Sequence, residues 1–126
     1  MAGIGEIPAD LARRMERLCD RLGDLLPPAP RPALLHVDLW SGNVMAREGR
    51  VLGLIDPACY HGHAEVDLAM LRLFGSPGPD FWEAYGEAEP GLAERQPIYQ
   101  LWPALVHLRL FGLGYRGLVE RLLAGF

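Results

Sequence analysis

The segment that most constrains this chain is residues 36–43, where a histidine, an aspartate and an asparagine recur at fixed spacing. The spacing matches H-x-D-x-x-x-x-N, a loop that kinase-like enzymes use in transferring the γ-phosphoryl group of ATP. That chemistry needs one carboxylate to orient the substrate hydroxyl and accept its proton. It also needs an amide oxygen and a second carboxylate to hold Mg²⁺. Asp38, Asn43 and Asp56 are the candidates for these roles, and Asn43 is the only asparagine in the chain.

A predicted β-hairpin would bring two of these candidates together. Two apolar runs flank a polar turn that contains glycine, at residues 44–46, 51–55 and 47–50 respectively. An antiparallel return places Asp56 within one or two residue pairs of Asn43, so one Mg²⁺ could reach an oxygen of each. The alternative is an ordinary surface hairpin flanked by acidic residues. The position of His36 and the Ile55-Asp56-Pro57 string favour the kinase interpretation.

Three longer strings extend the motif: HVDLWSGN at residues 36–43, IDPA at 55–58 and YHGHAEVDLAM at 60–70. From about residue 34 almost to the C-terminus, the chain resembles the fructosamine kinase (ketosamine-3-kinase) family. The resemblance implies a protein-kinase-like fold shared with aminoglycoside phosphotransferases. It implies 3-O-phosphorylation of sugar-derived ketoamines, including glycated lysines on proteins, with ATP and Mg²⁺. It also implies that Asp67 accepts hydrogen bonds from N–H groups of the catalytic loop, and that His36 organises this loop.

The chain departs from the family pattern in two respects. The family usually has glycine where this chain has Val37, which we expect to be tolerated with some disturbance of the local backbone. The twelve basic residues are all arginine, so the phosphate-pairing lysine of a kinase N-terminal lobe is absent. Residues 1–33 have room for one helix and a proline-rich connector, not for a nucleotide lobe. We therefore predict a kinase-like C-terminal lobe that is inactive without the missing N-terminal nucleotide lobe.

The predicted fold is α+β, mainly α with a small β-hairpin, in a single domain spanning residues 1–126. Residues 1–33 would form the N-terminal helix and connector, and residues 34–126 the catalytic loop, the hairpin and a helical bundle. Leucine or methionine recurs every three or four residues in 10–26, which predicts an amphipathic helix. Further helices are predicted at 65–74, 79–88, 93–111 and 117–123, and a short strand at 33–35.

Composition limits the possible partners. The net charge of −4 argues against nucleic acid as a ligand, and no apolar run approaches a membrane span. Residues 1–6 show no secretion signal, so we expect a cytoplasmic protein with Cys19 and Cys59 as free thiols. Half of the residues are hydrophobic. A missing lobe would leave apolar surface around the hairpin and the helix at residues 10–26, and we expect a homo-oligomer to cover it.

A different chemistry is conceivable at residues 60–67. On a strand, alternate side chains share one face and could bind a transition metal, namely His61, His63, Glu65 and Asp67. A loop leading into a helix would scatter them instead. The apolar run at residues 68–71 favours the helix.

Two other functions compete with the fructosamine kinase interpretation. One is a non-catalytic interaction domain, a scaffold remnant of a kinase lobe. The joint presence of Asp38, Asn43 and Asp56 argues against it. The other is a fragment of an aminoglycoside- or choline-type phosphotransferase, and the Gly62 to Met70 string argues against that.

Overall fold

The computed structural model describes residues 7–126, which contain five α-helices and four β-strands. In chain order these are α1 (Ala9–Leu25), β1 (Pro32–Leu35), β2 (Val44–Arg47), β3 (Arg50–Leu54), β4 (Tyr60–His63), α2 (Glu65–Leu73), α3 (Pro79–Tyr85), α4 (Leu92–Phe111) and α5 (Arg116–Leu123). The predicted α+β class, mainly helical with a small hairpin, is confirmed. The expectation of no secretion signal falls on residues 1–6, which lie outside the described residues.

The described residues divide into two compact units. A helical unit consists of residues 7–29 together with Ala93–Phe126, and a second unit consists of Pro30–Leu92. The second unit contains all of the predicted site residues. The organisation of residues 1–126 as a single domain stays a prediction.

The core of the helical unit forms where α1 meets α4 and α5. Its buried side chains are Leu11, Leu18, Leu101, Ala104, Leu108, Val119 and Leu123. Residues seven apart lie on one face of a helix, which explains why α1 buries Leu11 and Leu18 together. The expected exposed apolar surface is not found on this helix, because its apolar face is covered within the unit by helices distant in sequence. Self-association of the chain stays a prediction.

Ion pairing joins the ends of the helical unit. The Arg116 guanidinium donates a hydrogen bond to Glu120 at 2.6 Å and a second to Asp10 of α1. The bond to Glu120 is the main reason that the pKa of Arg116 is raised above its ordinary value. Arginine is charged throughout the neutral pH range, so both carboxylates face a cation there.

The helix α4 contains two prolines in its interior, Pro97 and Pro103. It covers the predicted range of residues 93–111 and continues through both prolines. The Pro103 carbonyl also has a side-chain partner one turn later, His107 Nδ1 at 2.7 Å. Burial of Leu101, Ala104 and other core residues stabilises the helix despite the lost N–H groups.

The second unit contains two antiparallel pairs of strands. The predicted hairpin is confirmed: β2 pairs with β3 from Val44↔Leu54 to Arg47↔Arg50. The two turn residues, Glu48 and Gly49, have φ of 53° and 75°, as a type I′ turn requires. The strand β4 was not predicted as such, and it pairs with β1 over the full length of both strands.

The hairpin exposes apolar side chains, as expected from the composition. The exposed fractions lie between 49% and 67% for Met45, Val51, Leu52 and Leu54. Such a patch is unusual on a surface that only contacts water. None of the helices within residues 7–126 is both long enough and apolar enough to cross a membrane.

Candidate active site

His36 is the centre of a hydrogen-bond network that shapes the loop after β1. Its ring is buried, with Nε2 2.7 Å from the Ile55 carbonyl and Nδ1 3.3 Å from the Asp38 N–H. These partners require a neutral ring that donates from Nε2 and accepts at Nδ1. The His36 carbonyl accepts a bond of 2.8 Å from the Ala58 N–H. His36 therefore has hydrogen bonds to the loop and to the backbone on both sides of Asp56, and its role as loop organiser stays a prediction.

Asp67 holds the same loop from the first turn of α2. Its Oδ2 accepts the His36 N–H and its Oδ1 accepts the Val37 N–H, both at 2.8 Å. Hydrogen bonds to an ionised carboxylate are short and strong. The predicted bonds between Asp67 and the N–H groups of this loop are confirmed, and the half-buried carboxylate uses both of its oxygens for them.

Val37, whose N–H group binds Asp67, has an unusual backbone conformation. Its φ is 79°, in the left-handed region that a β-branched residue seldom adopts. Two consecutive N–H groups converge on one carboxylate here, and the chain turns sharply to present both. A valine therefore occupies a conformation that suits glycine, and any strain from the substitution falls at this position.

Asn43 and Asp38 are in direct contact. The buried Asn43 amide donates from Nδ2 to the Asp38 carbonyl at 2.9 Å and to the Asp38 carboxylate at 3.2 Å. Both amide hydrogens can be used in this way, which leaves Asn43 Oδ1 as an acceptor for a cation. Asp38 itself is exposed, so a substrate can reach its carboxylate.

The hairpin brings Asp56 next to this pair through the backbone. The Ile55 N–H donates to the Asn43 carbonyl at 2.9 Å, so Asp56 follows the residue that pairs with Asn43. Asp56 is exposed and has a φ of 52°. An amide oxygen and a carboxylate are hard ligands of the kind that Mg²⁺ prefers, so these residues fit the expected metal. That both bind one ion stays a prediction.

A cavity of about 450 Å³ opens beside the loop. It is lined by Trp40, Ser41, Val44, Ala46, Leu71, Phe74, Gly75, Ser76 and Pro77. The Trp40 ring lies over Gly42 so closely that a Cβ on Gly42 would come within 2.3 Å of the ring. The sequence alone did not indicate a role for Trp40. The glycine two residues after a large aromatic residue was the available signal.

The alternative metal face at residues 60–67 does not form as one strand. The chain changes from strand to helix after His63, so the four side chains do not share one face. His61 is exposed, and Asp67 binds the loop. The expected scattering is therefore confirmed for His61 and Asp67, whereas His63 and Glu65 stay close together.

Comparisons with known proteins place this geometry in context. The fructosamine kinase family model matches residues 8–126. A Thermus thermophilus protein described as a probable ketoamine kinase is 45% identical over 85% of this chain and 45% of the relative. A Synechocystis protein of the same description is 40% identical over 92% of this chain and 38% of the relative. A Thermobifida fusca structure described as a fructosamine-3-kinase has a TM-score of 0.80 at 36% identity, covering 94% of this chain and 42% of that one. The chain thus spans less than half the length of these relatives.

Proposed function

This chain belongs to the fructosamine kinase family, and we propose that residues 36–56 form the catalytic centre of a ketoamine kinase. The reaction would transfer the γ-phosphoryl group of ATP to the 3-hydroxyl of a sugar-derived ketoamine. The observation that supports this best is the contact between Asn43 and Asp38 in a loop that His36 ties to both sides of Asp56. The names of the relatives supply the substrate class.

Asp38 would orient the substrate hydroxyl and accept its proton. Its Oδ2 receives a hydrogen bond from Asn43, so the orientation of the carboxylate is fixed before a substrate binds. Its exposure leaves the other oxygen accessible to a hydroxyl. A positioned carboxylate of this kind contributes about 10²–10⁴-fold to a rate.

Asn43 and Asp56 would hold Mg²⁺. When bound, Mg²⁺ and ATP supply the phosphoryl group and the positive charge that offsets the charge of the phosphates. Asn43 donates its amide hydrogens to Asp38, so its side-chain oxygen is available to a metal ion. Asn43 would therefore link the proposed base, Asp38, to Mg²⁺. His36 and Asp67 would act as positioning residues, since their described side-chain hydrogen bonds go to the loop and to the backbone beside Asp56.

The cavity beside the loop is our candidate for the substrate. Its walls are largely apolar and include Trp40 and Phe74. Apolar walls with a few polar groups are typical of small-molecule sites. The alkyl chain of a glycated lysine would suit these walls, with the sugar hydroxyls directed to Asp38.

We infer further that these 126 residues alone show no detectable saturable ATP binding at millimolar nucleotide. They should show at most trace phosphoryl transfer to a ketoamine. No lysine is present to pair with the phosphates, and residues 7–33 form only α1 and the start of β1. The exposed hairpin residues would favour a homo-oligomer, or a further lobe, that covers Val51 and Leu52.

A fusion enzyme tests the proposed function. The N-terminal part of the Thermus thermophilus relative would be joined to this chain in place of its own matching segment, and ³¹P NMR would follow transfer from ATP to fructosyl-lysine. We expect a phosphorylated ketoamine, and an Asp38→Asn fusion with turnover reduced about 10²-fold or more and substrate binding retained. A fusion that binds Mg·ATP but transfers nothing, beside an active parent, would contradict the proposal.

A further inference from the structure

A second group of metal-ligand side chains lies at the start of α2, and we propose that it binds Zn²⁺. His63 ends β4, Glu65 begins α2, and Glu89 lies between α3 and α4. One ligand atom from each lies within 4.8 Å of the others. None of the three belongs to the proposed catalytic centre, so this would be a separate site.

The distances between the ligand atoms fit a shared cation better than direct hydrogen bonds. His63 Nε2 lies 3.6 Å from Glu65 Oε2 and 3.5 Å from Glu89 Oε2. A charge-assisted N–H···O bond would shorten these separations to about 2.7–2.9 Å. Ligands about 2.0–2.1 Å from a tetrahedral Zn²⁺ lie roughly 3.4 Å apart. Both separations from His63 are close to this value, and the two carboxylate oxygens lie within 4.8 Å of each other.

Charge and burial lead to the same conclusion. His63 and Glu65 are only 7% and 5% exposed, and a buried carboxylate is costly unless its charge is balanced. Glu65 and Glu89 bring two carboxylates to one imidazole. A divalent cation bound among the three would offset the charge of both carboxylates. The Glu89 side chain is 68% exposed, which gives an ion access from solvent.

The donor set selects the metal. One imidazole nitrogen with two carboxylate oxygens suits Zn²⁺, whereas Mg²⁺ prefers oxygen ligands alone. A water molecule would complete the tetrahedron, as in sites with three protein ligands. The ion would tie the segment before α4 to the beginning of α2, from which Asp67 holds the catalytic loop. Zn²⁺ would thus stabilise the support of that loop.

Calorimetric titration with ZnCl₂ tests the site. The chain would carry Cys19→Ser and Cys59→Ser, because both thiols are exposed and free and could bind zinc themselves. We expect saturable one-to-one binding that excess Mg²⁺ does not displace. Glu89→Gln should weaken it at least about tenfold, a typical loss when a metal site is damaged.

Glu87→Gln is the matched control, since Glu87 is exposed in the same segment but outside the cluster. Its affinity for Zn²⁺ should equal that of the parent. The His63 imidazole ¹⁵N signals should shift on addition of Zn²⁺ to the parent and not to Glu89→Gln at the same concentration. Absence of saturable binding, or equal affinity in the Glu89→Gln protein, would overturn the proposal. Both variants alter exposed side chains, so folding is not at issue.

Discussion

Replacing Asp67 with asparagine removes one of the two hydrogen-bond acceptors that hold the loop at residues 36 and 37. Asparagine offers one oxygen acceptor where Asp67 offers two, so one of the N–H groups of His36 and Val37 would face an amide NH₂ instead. A hydrogen bond to a charged group contributes about 1.5–3 kcal/mol. The lost charge in the first turn of α2 adds about 0.3–1 kcal/mol. Because Asp67 is half-buried and water can reach the unpaired donor, we expect a loss of about 2–3 kcal/mol in the free energy of unfolding.

Urea unfolding monitored by tryptophan fluorescence measures this loss. For a slope of about 1.5–2 kcal/mol per M, the midpoint should fall by about 1–2 M. Asp80→Asn is the matched control, since Asp80 also lies in the first turn of a helix but makes no hydrogen bond to the loop. Hydrogen exchange should show that the amides of His36 and Val37 lose protection only in Asp67→Asn. Equal midpoints for the two variants, with protection of both amides unchanged, would refute the reasoning.

Three further substitutions have defined expectations. Val37→Gly should raise the free energy of unfolding by up to about 1 kcal/mol. Relief of left-handed strain contributes about 1–2 kcal/mol, and the entropy that glycine gains in the unfolded chain costs about 0.4–1 kcal/mol. A lower urea midpoint would contradict this. Leu108→Ala should lower the free energy of unfolding by about 2–5 kcal/mol, measured by thermal or urea unfolding. Leu110→Ala changes a side chain on the same helix that is 58% exposed, and it should lower this free energy by less than about 0.5 kcal/mol. Equal losses would argue against the assigned core. Gly42→Ala should displace the Trp40 ring and change its fluorescence emission, and an unchanged spectrum would show that the ring does not lie there.

The elements that sequence predicted well are those encoded locally. The hairpin follows from two apolar runs around a turn with glycine, and α1 follows from its leucine spacing to within one residue at each end. Asp67 was placed by its position in a longer family-like string, and its two hydrogen bonds have the predicted partners.

The features that sequence missed depend on contacts between distant segments. β4 contains two histidines and a glycine, a weak strand signal, and it forms because β1 pairs with it. Glu89 lies in a polar segment far along the chain from His63, so no spacing rule connects them. The apolar face of α1 seemed available for self-association because its partners, α4 and α5, come much later in sequence.

Whether Asn43 and Asp56 share one divalent cation beside Asp38 is tested most directly by NMR with paramagnetic Mn²⁺ as a substitute for Mg²⁺. Substoichiometric Mn²⁺ should broaden the Asn43 side-chain amide and the backbone amides of Ile55 and Asp56, because all lie next to the proposed ion. Asp56→Asn should abolish this broadening and leave any broadening near His63 intact. Signals of Asn43 and Ile55 that stay sharp at every Mn²⁺ concentration, or that broaden equally in Asp56→Asn, would contradict a shared metal site.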